Sequence, residues 1–222
     1  MKSVLLIAVS TFALAACSYS ASGPADNRSI DRAGLVASGD VNATGSAEYA
    51  GMIVDAGGNI ERDLSLSGAN VASDAHVGGN LNIEGARIRF TGRVEGRTEI
   101  SGASMYLNGY FGDNVEVMGA WATIDGDVVG ELNAIGTRFN LEGRFAAPVH
   151  IVGGGREGRN GRVVVTGSLE QGGYICASRV DIRQQAEISG PLTVIAEARP
   201  DWDGTFEFQF LGHRDCEDIT GG

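Results

Sequence analysis

The sequence predicts an all-β chain, a single-stranded parallel β-solenoid (β-helix) of about nine or ten 17-residue coils with a C-terminal cap, and three regularities predict it. The first is glycine at Gly34, Gly51, Gly68, Gly85, Gly102, Gly119, Gly136 and Gly153, a constant step of seventeen. With 34 glycines in 222 residues, eight consecutive hits arise by chance only on the order of a few times per million, all seventeen frames allowed. A second column runs Gly92, Gly109, Gly126 and Gly143. The second regularity is apolar columns at the same step: Leu66, Ile83, Ile100, Val117; then Phe90, Leu107, Ile124, Leu141. Two more run Val77, Val94, Phe111, Val128, Phe145 and Leu81, Thr98, Val115, Leu132, Val149. Within a coil these positions alternate with polar ones, the strand period of two.

The third regularity is parity. Inward positions run 105, 107, 109, 111, 113, 115, 117, 119 and then switch to 122, 124, 126. Seventeen is odd, so a period-two chain must slip by one residue per coil to return to the same face. The slip follows Gly102, Gly119 and Gly136, where a corner is expected to need backbone angles that glycine adopts without strain. The other glycine column is expected at a second corner whose wall lacks room for a side chain. No single coil can bury its apolar residues, but a stack can. At about 4.8 Å per rung, nine or ten coils make a rod close to 45 Å long.

The chain divides in order. Residues 1–16 read as a secretory signal: Met-Lys, an apolar stretch from Val4 to Leu14, then small residues. The stretch is shorter than the roughly 20 apolar residues that span a bilayer. Leu14-Ala15-Ala16-Cys17 resembles the lipobox of bacterial lipoproteins. That resemblance implies a diacylglycerol thioether and N-acylation on Cys17, several chains on one residue giving stable anchoring. Ser18, in place of the retaining Asp, implies sorting to the outer membrane in a Gram-negative host. The alternative is an ordinary signal with a chance cysteine near its end. Residues 17–31, polar and pattern-free, read as a lipidated tether. The solenoid is expected over 32–196.

Within it the step breaks after Gly153. Val163, Val165, Gly167 and Leu169 match Phe139, Leu141, Gly143 and Phe145 only after adding 24, so 153–162 is expected to be an inserted loop. Arg156, Arg159 and Arg162 then form a local cationic cluster, read either as a contact for an anionic lipid head group or wall polymer, or as a solvated insertion that the fold tolerates cheaply. Residues 197–222 are expected to cap the stack: Asp201-Trp202-Asp203-Gly204 as a turn, and Thr205 to Leu211 as an alternating strand over the core end. Cys176 falls on an outward parity position. With Cys216 it makes either a disulfide that staples the cap, or two free thiols.

Segments such as Gly92-Arg-Val-Glu-Gly96 and Gly126-Asp-Val-Val-Gly130 resemble the bactofilins, polymer-forming bacterial scaffold proteins with a small-cored β-helix. The likeness covers roughly residues 36 to 152 and 161 to 195. It implies scaffolding, end-to-end self-association and a link to cell-wall shaping. Three features depart from the family pattern: the lipobox, a longer rod and a C-terminal end that the chain closes itself.

Composition excludes other classes. A net charge of −11 with Lys2 as the only lysine removes the basic patch of a nucleic-acid binder. His76, His150 and His213 are widely separated, with no metal-ligand spacing, so no metal and no cofactor is expected. Asn108, Asp125 and Glu142 stack in one column and Glu99 and Glu116 in another, which raises a polysaccharide-cleaving alternative. The coils are too short and loop-free for the cleft such enzymes build, and outward carboxylates suit a solvated face. Tyr106 and Trp121, exposed by parity in neighbouring coils, raise a glycan-binding or adhesin-type alternative. The expected role is a structural, non-catalytic lipoprotein of the cell envelope. Its expected partners are the membrane through Cys17, further copies of itself, and peptidoglycan or envelope polysaccharide.

Overall fold

The computed structural model describes residues 29–154, 160–202, 206–212 and 216. Among these, twenty strands form one continuous sheet whose strand pairs are parallel. They wind into ten coils, which begin at Ile30, Ala47, Leu64, Leu81, Thr98, Val115, Leu132, Val149, Gly173 and Leu192. These residues stand one above another. The first strand, Ile30–Ala43, starts two residues earlier than the expected 32.

The coil 115–131 shows why alternation and odd length give a closed lap. The strand Val115–Ile124 bends at its centre: Val115 and Val117 point inward, then Ala122 and Ile124. The short strand Asp127–Val128 completes the lap with Val128 inward. The coil therefore has three sides, taken here in chain order as first, second and third. The inward side chains stack along the axis, where Phe90, Phe111, Phe139 and Phe145 are among the largest fully buried groups. Each contributes roughly 1.5–3 kcal/mol by leaving water.

Two expectations about the corners need correction. Strict alternation carries Asp113 inward, yet it is exposed: Phe111 is the last inward residue of its coil, and the chain turns over 112–114 before Val115. The glycines of the 102, 119, 136 column also do not serve backbone strain. Among the described residues left-handed φ values occur instead at Gly39, Gly58, Gly154, Asn160, Gly172 and Gly173. What fixes the column is the close approach of successive coils. A Cβ on Gly102 would lie 2.5 Å from the Gly85 carbonyl oxygen, and on Gly119 or Gly136 nearer still to the glycine carbonyl of the preceding coil. The second column obeys the same rule, Gly109, Gly126 and Gly143 each resting on the carbonyl of the glycine before it. At the remaining corner short polar side chains stand beside closely packed glycines such as Gly79, Gly96 and Gly130. Asp63 Oδ1 accepts from the Asn80 amide (2.8 Å), Asn80 Oδ1 from the Arg97 amide (3.0 Å) and Asn114 Oδ1 from the Glu131 amide (2.9 Å). Side chains thus satisfy the N–H groups that the turn takes out of the ladder.

Two buried inward positions are polar, Ser73 and Thr98. The Ser73 hydroxyl accepts from the Ala75 amide at 3.3 Å. Thr98 is fully buried between Leu81 and Val115, and its hydroxyl has no partner. Thr98→Val keeps the shape and removes an unsatisfied group, so a stabilisation of about 1 kcal/mol is expected in urea unfolding. A loss of stability would mean the hydroxyl is satisfied in solution.

The later coils are longer. The strand Val149–Gly153 gives way to Arg162–Val165, with Val163 paired to Phe139 and Val165 to Leu141, a step of 24. The insertion is therefore shorter than 153–162 at both ends: Gly153 and Arg162 are strand residues. A further lengthening, with no counterpart in the sequence reading, sets Gly173 against Leu192 (192 − 173 = 19). Its two extra residues lie in a turn near Arg183, whose carbonyl accepts from the Ala186 amide at 2.9 Å.

Both ends of the core are covered by the chain. At the C-terminal end the expected strand over 205–211 is reduced to Gln209–Leu211, parallel to Leu192–Ile195, with 203–205 outside the described residues. Phe208 is buried, and Trp202, Phe206 and Phe210 pack on the core. The Trp202 indole N–H donates to the Phe206 carbonyl (3.0 Å). At the N-terminal end Arg32 stands in the inward column next to Tyr49. Its guanidinium lies 5.5 Å from the Tyr49 ring centre and donates to the Ser38 carbonyl. The fully buried Tyr49 donates its hydroxyl to the Gly39 carbonyl at 3.2 Å. Burial raises the Tyr49 pKa above its ordinary value, with Arg32 opposing and Asp40 adding.

Candidate functional site

The three sides differ in charge, and register shows how. On the first side one outward column carries Asp31 and Glu48 on successive rungs and, beyond Ser65 and Asn82, Glu99 and Glu116, and the neighbouring column carries Glu84. Neither column of that side contains an arginine. On the second side the outward column over 87–179 reads Arg87, Ser104, Trp121, Arg138, Arg162, Arg179. The neighbouring column adds Arg89, Tyr106 and, further on, Asp181. Five arginines of an acidic chain thus lie on this one flat side, Arg87, Arg89, Arg138, Arg162 and Arg179.

The arginines of this side fall into two groups. Arg162 and Arg179 both engage Asp181, at 2.7 and 3.1 Å. Burial would raise the Asp181 carboxyl, but hydrogen bonds from the two guanidiniums outweigh it and hold it below the ordinary aspartate value. Arg87, Arg89 and Arg138 have no carboxylate partner among the described residues. Arg87 donates to Asn70 Oδ1 (3.2 Å), Arg89 lies 5.4 Å from the Tyr106 ring centre and Arg138 lies 5.3 Å from that of Trp121. Trp121 is 49% exposed, and a shallow groove runs past Asp55, Asn70, Arg87, Arg89, Tyr106 and Trp121, with Asp55 two rungs from Arg89 on the same column.

The sequence-derived candidates distribute as follows. Cys17, Arg156, Arg159 and His213 lie outside the described residues. Arg162 is not a member of a projecting cationic loop: it sits in a strand, with its charge matched by Asp181. Cys176 and Cys216 are disulfide-bonded with Cα atoms 5.9 Å apart, and together with Ile195 they form a small buried cluster outside the main core. Val152, Tyr174 and Leu211 cover it. In the stacked carboxylate columns, Asn108 Nδ2 donates to Asp125 (3.2 Å), while Arg97 engages both Glu99 (3.0 Å) and Glu116 (2.6 Å). Neither column presents two carboxylates facing one another across a cleft. Among the described residues no three His, Cys, Asp or Glu side chains are gathered to hold a metal ion, and no helix is long and apolar enough to cross a membrane.

Parity exposed Tyr106 and Trp121 in the sequence but did not reveal their arginine partners. The signal was present: Arg87, Trp121 and Arg138 are separated by multiples of the coil step, so they share a column.

Coil geometry, inward columns and a single continuous parallel sheet define the class of the molecule, a single-chain three-sided parallel β-solenoid. Against family models, curated proteins and solved structures, nothing matches the chain.

Proposed function

We propose that the chain is a lipid-anchored scaffold rod of the bacterial envelope, tethered through Cys17 and joining to a second copy through its first coil. The observation that carries this reading is the difference between the two ends. Beyond the last coil the chain lays its own strand, Gln209–Leu211, and three phenylalanines. At the other end the 14-residue strand Ile30–Ala43 pairs only with Ala47–Ile60 among the described residues. A long strand edge is a template for pairing with another chain. Two copies meeting there about a two-fold axis would continue the sheet through an isologous contact.

The closed C-terminal end limits the assembly to pairs of rods rather than long filaments, which separates this scaffold from the bactofilins it resembles. The test is analytical ultracentrifugation and negative-stain microscopy of the secreted Cys17→Ser chain, with fractionation of cells carrying either form. The expected result is a dimer about twice the length of one rod, and release of the Cys17→Ser form from the membrane fraction. A strict monomer at high concentration would overturn the pairing. Unchanged membrane association of Cys17→Ser would overturn the anchor.

A further inference from the structure

We infer that the second side of the rod is a binding surface for an extended anionic glycan, one carrying carboxylates along its length, and that Arg87, Arg89, Tyr106, Trp121 and Arg138 form its centre. The inference goes beyond the scaffold reading and does not depend on self-association, because none of these residues belongs to the first coil.

Charge is the first argument. On a chain of net charge −11, arginines on a stable surface normally meet carboxylates, as Arg93 meets Glu95, Arg97 meets Glu99 and Glu116, and Arg144 meets Glu170. Arg87, Arg89 and Arg138 do not among the described residues, although carboxylates are abundant on the adjoining side and Asp55 lines the same groove two rungs from Arg89. They rest on an amide and two aromatic rings instead. Their charge is left for an external anion, and the planar guanidinium fork matches a carboxylate in bidentate fashion.

Geometry is the second argument. Arg87 and Arg138 share a column three rungs apart, with Trp121 between them on that column and Tyr106 on the next. At about 4.8 Å per rung the two cations stand roughly 14 Å apart. The order is cation, aromatic, aromatic, cation along a flat strip. A small ligand does not need such a strip, whereas an extended polymer with acidic groups at intervals lies along it. The exposed indole of Trp121 offers an apolar ring face with little rotamer entropy to lose, suited to the C–H face of a sugar. A densely charged polyphosphate is disfavoured by the acidic remainder of the molecule, whose field opposes it.

The experiment measures binding of the full chain to immobilised polygalacturonate and hyaluronate. Dextran serves as the neutral control, with single-stranded DNA and anionic phospholipid vesicles as competing polyanions. The variants are Arg89→Gln/Arg138→Gln, Trp121→Ala, and the charge-matched Arg93→Gln/Arg144→Gln on the third side. The expected result is salt-sensitive binding to at least one uronate polymer. It should weaken at least tenfold in Arg89→Gln/Arg138→Gln and several-fold in Trp121→Ala, and stay within twofold of the parent in Arg93→Gln/Arg144→Gln. Circular dichroism should be unchanged throughout. No binding to either uronate polymer, equal loss in the third-side variant, or tighter binding to DNA or vesicles would each overturn the inference.

Discussion

Gly119→Ala is expected to destabilise the rod by about 3 kcal/mol, near the upper end for overpacking by one methyl group. The position is neither inward nor strained, so burial and φ give no warning. The cost comes from the stack. Successive coils are held about 4.8 Å apart by their ladder hydrogen bonds, and a Cβ at Gly119 would meet the Gly102 carbonyl oxygen and the Met105 side chain. The carbonyl cannot withdraw without breaking ladder bonds on both sides, so the lap must tilt and its inward side chains lose contact. Gly212 is the control within the same molecule, since a Cβ there would meet nothing within 4 Å. Gly212→Ala is expected within about 0.5 kcal/mol of the parent. The difference is read from urea midpoints at constant slope. Similar midpoints for the two variants would show that the coils can separate locally, and would undo the account of why glycine repeats.

The step of seventeen gives the register directly, because each inward column is a run of residues that cannot face water, from Leu66 to Val117 and from Val77 to Phe145. The reason for the glycines was not legible. Slip of parity and close approach of backbones leave the same letter in the same place, and only the neighbouring coil distinguishes them. Asp113 was misplaced for a related reason: a three-sided lap has a corner that interrupts alternation, and at that corner asparagine and aspartate side chains bind the turn amides beside the glycines. At the N-terminal end Arg32 stands where the column asks for an apolar residue. A charged residue at an inward position reads as a break in the pattern until the structure shows that it lies over Tyr49. The cationic side was hidden because its members are spread over nearly a hundred residues of chain. The eye groups Arg156, Arg159 and Arg162, which are close in sequence. The fold groups Arg87, Trp121 and Arg138, which are close in space.

Reduction of the Cys176–Cys216 bond is expected to loosen the C-terminal end without loosening the middle of the rod. The bond closes a separation of 40 residues, and the chain-entropy treatment of such a loop gives about 4 kcal/mol. In a globular domain that would act on the whole unfolding equilibrium. In a stack each coil contacts only its neighbours, so a lost constraint acts where it is attached and propagates only as far as end fraying carries it. The coils affected are those built on Gly173–Cys176 and Leu192–Ile195, with the short strand Gln209–Leu211 above them. Cys216 also places part of the last segment over Ile195 and beside Tyr174, so its release uncovers that small apolar cluster. Hydrogen exchange on the oxidised protein and on the Cys176→Ala/Cys216→Ala variant separates local from global effects. The expected result is faster exchange of the Leu192–Ile195 and Gln209–Leu211 amides, by a factor of at least a hundred. Amides of Thr98–Leu107 and Val115–Ile124 should remain as in the oxidised protein. Uniform acceleration along the rod would mean that the ten coils unfold as one unit, and that the nearest-neighbour description of this solenoid does not hold.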